Sequence, residues 1–233
     1  MGPRLQREAW PVTDYVLVHG AWGGSFGYDR VAAELRAAGH RVVLAQLTGL
    51  GTRKGEFHPG ITLTTHIDDV CNQITSAGYD KFVLVGHSYG GMIVTGVATR
   101  LGARITALVY IDAFLPQDGQ SLWDLTGDFE HHHYIDSQKF TPGAVAPLPG
   151  LENPVLSRHP LLTLLEAVKF TGEEAKVGRR IYVFANAWEP TPFRKFVKRV
   201  TSEKGWEYHE SKASHNVMGD QPEQTLAILV GCA

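Results

Sequence analysis

The sequence predicts an α/β fold in which a mainly parallel sheet of about six strands is covered by helices on both faces. Short β-branched runs bounded by glycine alternate with longer segments of helical period, which is typical of parallel sheets with crossover helices. The run "KFVLV" at 81–85 has the pattern of a buried strand. Because folds of this class with roughly 200–250 residues commonly form one domain, we expect a single domain spanning residues 1–233.

Six segments predict the strands of the sheet. In chain order they are "DYVLVHG" at 14–20, "HRVVLAQ" at 40–46, "KFVLVGH" at 81–87, "ITALVYID" at 105–112, "RRIYVFAN" at 179–186 and "WEYHE" at 206–210. Longer segments with one apolar stripe predict helices: "YDRVAAELRAAG" at 28–39, "LTTHIDDVCNQITSAG" at 63–78 and "PFRKFVKRVTSEKG" at 192–205. Gly39 and Gly78 are expected to end the first two, because glycine commonly follows a helix C-terminus.

The stretch 116–178 interrupts this alternation. It contains "LWDLTGDFEHHHYI", the proline-rich "TPGAVAPLPGLENP" and the helical "HPLLTLLEAVKF". An insertion of this length inside a compact sheet fold is usually functional. We therefore predict that residues 116–178 form a cap over a site within the same domain.

Composition narrows the expected partner to a small molecule. The formal net charge of -2 offers no electrostatic attraction to nucleic acid or to an anionic membrane. The N-terminal "MGPRLQREAWPVTDY" lacks the apolar core of a signal peptide, and no stretch approaches 18 apolar residues, so a cytoplasmic protein is expected. Two cysteines, Cys71 and Cys232, argue against a disulfide framework. The sequence carries no signal for the oligomeric state.

A candidate nucleophile, Ser88, lies in "GHSYG" at 86–90, a G-x-S-x-G motif. A buried-strand pattern precedes the motif, and the small-residue segment "GGMIVTGVATRLG" that follows it predicts a helix. That order forms a sharp turn that exposes the serine Oγ. Gly86 and Gly90 are expected where strand and helix cross too closely for a side chain. The alternative is a serine that only caps the helix.

Ser88 needs a base and the attacked carbonyl needs hydrogen-bond donors. His215 is the preferred base, because it follows the last predicted strand and precedes the closing helix, in agreement with the chain order Ser, acid, His. His87 precedes the nucleophile and is interpreted as structural. The predicted oxyanion donors are the backbone N–H groups of Tyr89 and of Ala21, the latter in "HGAWGG".

From Tyr15 to its C-terminus the chain resembles an α/β-hydrolase of the compact branch that contains plant methylesterases, hydroxynitrile lyases and bacterial esterases. The resemblance rests on the motifs "YVLVHGAWGG", "AAGHRVVLAQLTGLG", "VLVGHSYGGM", "LVYIDAFLPQDG" and "ASHNVMGDQP". It implies Ser88 as nucleophile, His215 as base, and Ala21 and Tyr89 as oxyanion-hole residues. The run "LTGLGTRKGEFHPGITLTTHIDDV" is similar to bacterial members that cleave methyl carbamates of aromatic heterocycles.

The acid that orients His215 is open between two residues. Asp112 ends the predicted strand after the nucleophile, at the sheet edge where active sites of parallel sheets lie. In many relatives the acid follows the strand that corresponds to "RRIYVFA", where this chain has Trp188 and then Glu189. We predict Asp112 as the acid, with Glu189 as the rival; the alternative for Asp112 is a turn cap.

The predicted function is a serine esterase for a small, largely apolar ester or carbamate, with Trp22, Trp123 and Phe129 in its pocket. A hydrolase-fold binding protein with little turnover is the alternative. A hydroxynitrile lyase is disfavoured. Lyases of the branch that the chain resembles carry a lysine directly after the catalytic histidine and a hydroxyl residue after the first histidine, where this chain has Asn216 and Gly20.

No metal and no cofactor are expected. Three consecutive histidines at 131–133 cannot all face one ion in regular structure, so we interpret them as part of a polar cap loop. The glycines of "TGLG" match neither dinucleotide-binding nor P-loop motifs.

Overall fold

The computed structural model describes residues 12–151 and 153–233. The prediction of a cytoplasmic protein from the N-terminus rests largely on residues 1–11, which lie outside the described part. The strands, in chain order, are β1 (Asp14–Val18), β2 (Arg41–Leu44), β3 (Phe82–Ser88), β4 (Ile105–Ala113), β5 (Ala144–Val145), β6 (His159–Pro160), β7 (Arg180–Ala185) and β8 (Trp206–Ser211). The α-helices are α1 (Asp29–Ala37), α2 (Leu63–Ser76), α3 (Gly90–Leu101), α4 (Asp128–Ser137), α5 (Leu162–Leu165), α6 (Arg194–Ser202), α7 (Val217–Asp220) and α8 (Pro222–Val230).

Six strands form one sheet in the order β2-β1-β3-β4-β7-β8, and every neighbouring pair is parallel. All six predicted strands are therefore present, and the predicted α/β class is confirmed. β5 and β6 form a separate antiparallel ribbon. Because all six strands run the same way, their carboxyl ends meet at one edge of the sheet, where a site is expected.

The sheet is buried on both faces. Along β3, Phe82 and Leu84 pack into the core beneath α2 and α3, whereas Val83 and Val85 pack into the core beneath α1 and α8. Successive side chains of a strand point to opposite faces, so a strand with two buried faces is apolar throughout. This double burial explains why "KFVLV" reads as a continuous apolar run.

The helix ends follow the sequence signals. Gly39 and Gly78, two residues after the last residues of α1 and α2, have φ values of 94° and 68°, a left-handed conformation that glycine adopts without steric cost. At the other end of α2, Thr62 and Thr65 form a reciprocal capping box. No helix within 12–151 or 153–233 is long and apolar enough to cross a bilayer.

The chain between β4 and β7 contains α4, the β5–β6 ribbon and α5. This stretch corresponds to the predicted insertion at 116–178. Val145 of this stretch contacts Trp22: the Trp22 Nε1–H donates to the Val145 carbonyl at 3.1 Å. Trp22 follows β1, so the insertion is in direct contact with the carboxyl edge of the sheet.

Candidate active site

Ser88 occupies a sharp turn between β3 and α3. Its φ is 55°, a left-handed value that is strained for a residue with a Cβ atom. A Cβ atom on Gly86 would lie 2.7 Å from the Gly90 carbonyl oxygen, and one on Gly90 would lie 2.7 Å from the Val18 carbonyl oxygen. Glycine is therefore required at both positions, as predicted for a strand and helix that cross at close range.

Ser88 faces a cavity of about 870 Å³ that it shares with Ala21, Tyr89 and His215. Its Oγ makes no hydrogen bond to another residue of the described chain, His215 included. Gly20 flanks the serine, and a Cβ atom at this position would lie 2.9 Å from Ser88 Cβ. A hydroxyl-bearing residue in place of Gly20 would therefore press on the Ser88 side chain.

His215 lies in the loop between β8 and α7 and is held on several sides. Its Nδ1 lies 2.7 Å from Asp112 Oδ2, and its carbonyl accepts a hydrogen bond of 2.8 Å from His87 Nε2. The Phe193 ring stacks on the imidazole with centroids 5.1 Å apart, and the Trp188 ring lies 5.0 Å from it. Because Nδ1–H donates to a carboxylate, the neutral imidazole has its lone pair on Nε2.

His87, the histidine inside the elbow, supports the backbone. Burial holds its pKa well below the usual value, and its proximity to the His215 ring lowers the pKa further. The neutral ring then donates Nε2–H to the His215 carbonyl. This contact fits the structural interpretation made from the sequence.

Asp112 is completely buried and accepts three hydrogen bonds. Besides His215 Nδ1 on Oδ2, Trp188 Nε1–H donates to Oδ2 at 3.0 Å and the Ala185 N–H donates to Oδ1 at 3.2 Å. A buried carboxylate is costly unless it is paired in this way. The three donors give the carboxylate a fixed orientation toward the imidazole.

The backbone at Asp112 is irregular. His87 pairs with Ile111 but Ser88 pairs with Ala113, so β4 has one extra residue, Asp112, at this point. Such a bulge re-aims a side chain and is frequent beside active sites. The φ of Asp112 is 40°, a strained value, and together with the bulge it turns the carboxylate toward His215.

Glu189, the rival acid, lies elsewhere. Its carboxylate is exposed and forms an ion pair with Arg194, whose Nε–H donates to it at 2.7 Å. The preceding residue, Trp188, reaches inward instead and donates to Asp112. In the sequence, Trp188 lies near the position of the acid in relatives, but no pattern indicates that its indole N–H supports a carboxylate on β4.

The two predicted oxyanion donors border the cavity with their N–H groups free of protein acceptors. Within the described ranges, neither the Ala21 nor the Tyr89 N–H donates a hydrogen bond, and both residues line the cavity with Ser88. The Tyr89 side chain points away from it, and its hydroxyl lies 2.9 Å from His66 Nδ1. Burial lowers the pKa of His66 to about 4, so the ring is neutral, donates Nε2–H to the Thr48 carbonyl and accepts the tyrosine hydroxyl at Nδ1.

The cavity wall is mainly apolar. Of the three predicted pocket residues, Trp22 and Phe129 line it, whereas Trp123 does not. Trp123 stacks on His131 with centroids 3.8 Å apart and borders a second cavity. Trp123 is placed there because its ring pairs with a histidine of α4 rather than turning toward Ser88.

Two charged side chains, Glu130 and Lys195, also border the cavity beside Ser88. Glu130 accepts the Gly127 N–H at 3.0 Å, and Lys195 donates to the Leu125 carbonyl. Burial lowers the pKa of Lys195 from its usual value. Both charges are thus engaged with the backbone before helix α4.

The three consecutive histidines lie on α4 rather than in a loop, which corrects the loop interpretation, and their rings diverge. Nitrogens of His131, His132 and His133 contact three different backbone carbonyls, those of Trp123, Asp128 and Ala146. Successive residues of a helix face different directions. In the part of the chain that the structure describes, no group of three potential ligands could hold a metal ion.

Comparison with known proteins gives consistent results. A family model described as "Alpha/beta hydrolase family" matches residues 15–228. The chain is 36% identical over 233 aligned residues to a carbendazim hydrolyzing esterase of Nocardioides sp. (strain SG-4G), covering 91% of this chain and 96% of that protein. It is 27% identical to polyneuridine aldehyde esterase of Rauvolfia serpentina, covering 93% and 94%.

A similar solved structure supports the fold. An extracellular alpha/beta-hydrolase from a Paenibacillus species superimposes with a TM-score of 0.80 at 21% identity, covering 95% of this chain and 99% of that one. At this identity the match concerns the architecture. The two chains thus share the same overall fold.

Proposed function

The chain belongs to the alpha/beta hydrolase family, and from this premise we propose that it is a serine hydrolase that cleaves a small, largely apolar carboxylic ester or methyl carbamate through an acyl-enzyme. The single observation that carries the assignment is the 2.7 Å contact between His215 Nδ1 and the buried Asp112, beside a cavity that also exposes Ser88. The esterase character of relatives that match over nearly their whole length supports it.

In the proposed mechanism, Ser88 Oγ attacks the substrate carbonyl carbon while His215 Nε2 accepts the hydroxyl proton. The Oγ–C bond forms, and the carbonyl electron pair moves onto oxygen. When the tetrahedral intermediate collapses, the bond to the leaving alkoxide breaks and His215 returns the proton to it, releasing an alcohol. Substrate binding has to bring Ser88 Oγ and His215 Nε2 together, as is common for sites that are loosely aligned without substrate.

The second half of the reaction repeats the first with water. A water molecule gives its proton to His215 Nε2 as its oxygen attacks the acyl carbon. The bond between the acyl carbon and Ser88 Oγ then breaks while His215 returns the proton to Oγ, releasing a carboxylic or carbamic acid and restoring the serine. The N–H groups of Ala21 and Tyr89 stabilise the oxyanion in both halves, and each such donor contributes on the order of 3–4 kcal/mol. Asp112 keeps the imidazole in the tautomer with Nδ1–H and stabilises its charged form.

We propose that residues 116–178 form the cap of this site within a single domain. Leu122, Leu125, Phe129 and Leu148 of this segment line the cavity, opposite Ser88 and His215. A wall of this composition favours an apolar acyl or leaving group. The similarity to a carbendazim hydrolyzing esterase makes a methyl carbamate of an aromatic heterocycle the first alternative to an ester.

A substrate panel tests the proposed function. The purified protein is incubated with methyl esters, p-nitrophenyl esters and methyl carbamates of aromatic heterocycles, with and without a serine-directed fluorophosphonate. We expect turnover of at least one class, its loss after fluorophosphonate treatment, and one covalent adduct per chain by intact mass. Tight binding of these compounds without turnover or adduct would instead indicate a hydrolase-fold binding protein.

Replacing Trp188 by phenylalanine is expected to lower kcat by about tenfold with little change in KM. The phenyl ring preserves the aromatic contact with His215 but removes the N–H that donates to Asp112 Oδ2. A hydrogen bond to a charged group contributes about 1.5–3 kcal/mol. The part of this energy that serves to orient His215 through Asp112 is lost from kcat. Steady-state kinetics with the best substrate of the panel measures the effect.

Trp206→Phe is the matched control, because Trp206 is a partly buried indole on β8 that packs against Tyr110 away from Asp112. Its kcat should stay within about twofold of wild type. Equal kcat for Trp188→Phe and Trp206→Phe would contradict a role of the Trp188 N–H in orienting the acid.

Phe129→Ala is expected to change substrate selectivity, whereas Trp123→Ala is not. Phe129 lines the cavity yet is 62% exposed, so its removal should raise KM for p-nitrophenyl octanoate more than for the acetate and leave the melting temperature nearly unchanged. Trp123 stacks on His131 outside this cavity, and its loss should lower the melting temperature with KM unaffected. A change of KM in Trp123→Ala but not in Phe129→Ala would show that Trp123, and not Phe129, contacts the substrate.

A further inference from the structure

Trp22, directly after the proposed oxyanion donor Ala21, has a rare backbone conformation. The Gly23 N–H donates to the Ala21 carbonyl at 2.7 Å, closing a three-residue turn with Trp22 at its centre and a φ of 60°. Three-residue turns with a positive central φ are uncommon and strained. Such a turn persists only where surrounding contacts hold it.

Among the residues that the structure describes, the hydrogen bonds that hold Trp22 from outside its own loop come from the β5–β6 ribbon and the connection between its strands. The Trp22 N–H donates to His159 Nδ1 at 3.3 Å, and its indole N–H donates to the Val145 carbonyl at 3.1 Å. Its carbonyl accepts the Ser157 N–H at 2.8 Å and the Ser157 hydroxyl at 3.2 Å. The strained turn is therefore clamped on three groups by a segment more than 120 residues away in the chain.

His159 is prepared to accept a hydrogen bond. It is completely buried, and its Nε2 lies 2.7 Å from the Thr163 hydroxyl, which itself donates to the Pro160 carbonyl at 2.7 Å. The hydroxyl proton is thus committed, so Nε2–H must be the donor and Nδ1 keeps its lone pair. Burial also holds the pKa of His159 well below its usual value, which keeps the ring neutral.

We infer that His159 is a positioning residue that fixes the oxyanion donor Ala21 through the backbone N–H of Trp22. His159 holds the peptide group that joins Ala21 to Trp22. Because the orientation of this peptide group determines the backbone conformation at Ala21, it also determines the direction of the Ala21 N–H. His159 does not line the cavity with Ser88. The inference rests on the proposed function and extends it, because it makes the insertion between β4 and β7 part of the machinery that stabilises the transition state.

The test compares His159→Leu with His159→Asn, whose side-chain oxygen can replace Nδ1 as acceptor. For His159→Leu we expect kcat to fall by about 10- to 100-fold, because small displacements of an oxyanion donor are costly, with KM within about threefold. The affinity for a trifluoromethyl ketone, which binds as an oxyanion, should weaken by a similar factor. His159→Asn should recover kcat to within about fivefold of wild type.

His40→Leu is the matched control. His40 is also buried, and its Nδ1 also accepts a backbone N–H, that of Thr13 at 3.2 Å. It precedes β2 and therefore lies at the amino ends of the strands, away from the carboxyl ends where Ser88 and His215 are placed. This variant should lose thermal stability and keep both kcat and the ketone affinity. If His159→Leu does not fold, Thr163→Val, which removes the group that fixes the His159 tautomer, should lower kcat and ketone affinity together by about threefold or more.

The outcomes separate the inference from the proposed function. A wild-type protein without turnover or fluorophosphonate adduct would overturn both. An active wild type whose folded His159→Leu variant keeps its kcat, or loses kcat without losing ketone affinity, would overturn the role of His159 alone. Failure of His159→Asn to recover activity while its melting temperature matches that of wild type would also overturn it.

Discussion

Ser88→Ala is expected to leave a folded protein whose kcat for the best ester falls by about 10⁴- to 10⁶-fold, as for single losses from a triad. Only the hydroxyl group is removed, and in the proposed mechanism its oxygen forms the covalent bond to the substrate. Discontinuous assays at high enzyme concentration measure the residual rate. Intact mass spectrometry after fluorophosphonate treatment shows whether the covalent adduct is absent. Retention of a tenth of the wild-type kcat would contradict the assignment.

Two further variants distinguish loss of the nucleophile from loss of structure. Ser88→Gly is expected to be equally inactive but to melt at a higher temperature than Ser88→Ala, because glycine tolerates the φ of 55° that strains any residue with a Cβ atom. Ser25→Ala removes another buried serine hydroxyl, which accepts a hydrogen bond from Gln46. It should still form the fluorophosphonate adduct.

Asp112→Asn is expected to lower kcat by about 10⁴-fold while the fold is retained. Three donors face the two oxygens of Asp112, from His215, Trp188 and Ala185. An amide offers one oxygen and one NH₂ group, so at least one donor must face another donor. Where the NH₂ group faces His215, the imidazole must move its proton to Nε2 and can no longer accept the proton of Ser88.

Glu189→Gln is the control for this prediction. The Glu189 carboxylate is exposed and paired with Arg194, and an exposed ion pair contributes about 0–1 kcal/mol to stability. Its kcat should therefore stay close to wild type. A large loss for Glu189→Gln combined with a small loss for Asp112→Asn would transfer the role of the acid to Glu189.

The sheet was predictable because its central strands carry a signal at every residue. Both faces of β3 are buried, so no polar residue interrupts "FVLV" at 82–85, and glycines at left-handed positions mark the ends of α1 and α2. The insertion was predictable only as a stretch that lacks the regular alternation of strand and helix patterns. The β5–β6 ribbon has two residues in each strand, too few for any periodicity to appear.

The site was predictable where local geometry dictates residue type, and not where tertiary packing decides. Glycine before and after Ser88 follows from a close backbone crossing, and this could be inferred from the motif. The side-chain directions of Trp188 and Trp123 depend on partners 76 and 8 residues away, Asp112 and His131. Their indole rings carry no sequence signal that distinguishes a carboxylate partner, a stacked histidine or a substrate.

A carboxylate carried on β4 has a consequence for engineering new substrate ranges. The loop after β7 contributes Pro190, Thr191 and Pro192 to the cavity wall, and in the proposed assignment it carries no triad member. The Thr191 hydroxyl accepts the N–H of Phe193, which stacks on His215, so Thr191 is kept together with Trp188. A library that varies Pro190 and Pro192 can reshape the wall without moving Asp112 or His215. Variants selected for new esters from such a library should differ mainly in KM, and their gains should combine additively with changes on the opposite wall at Phe129.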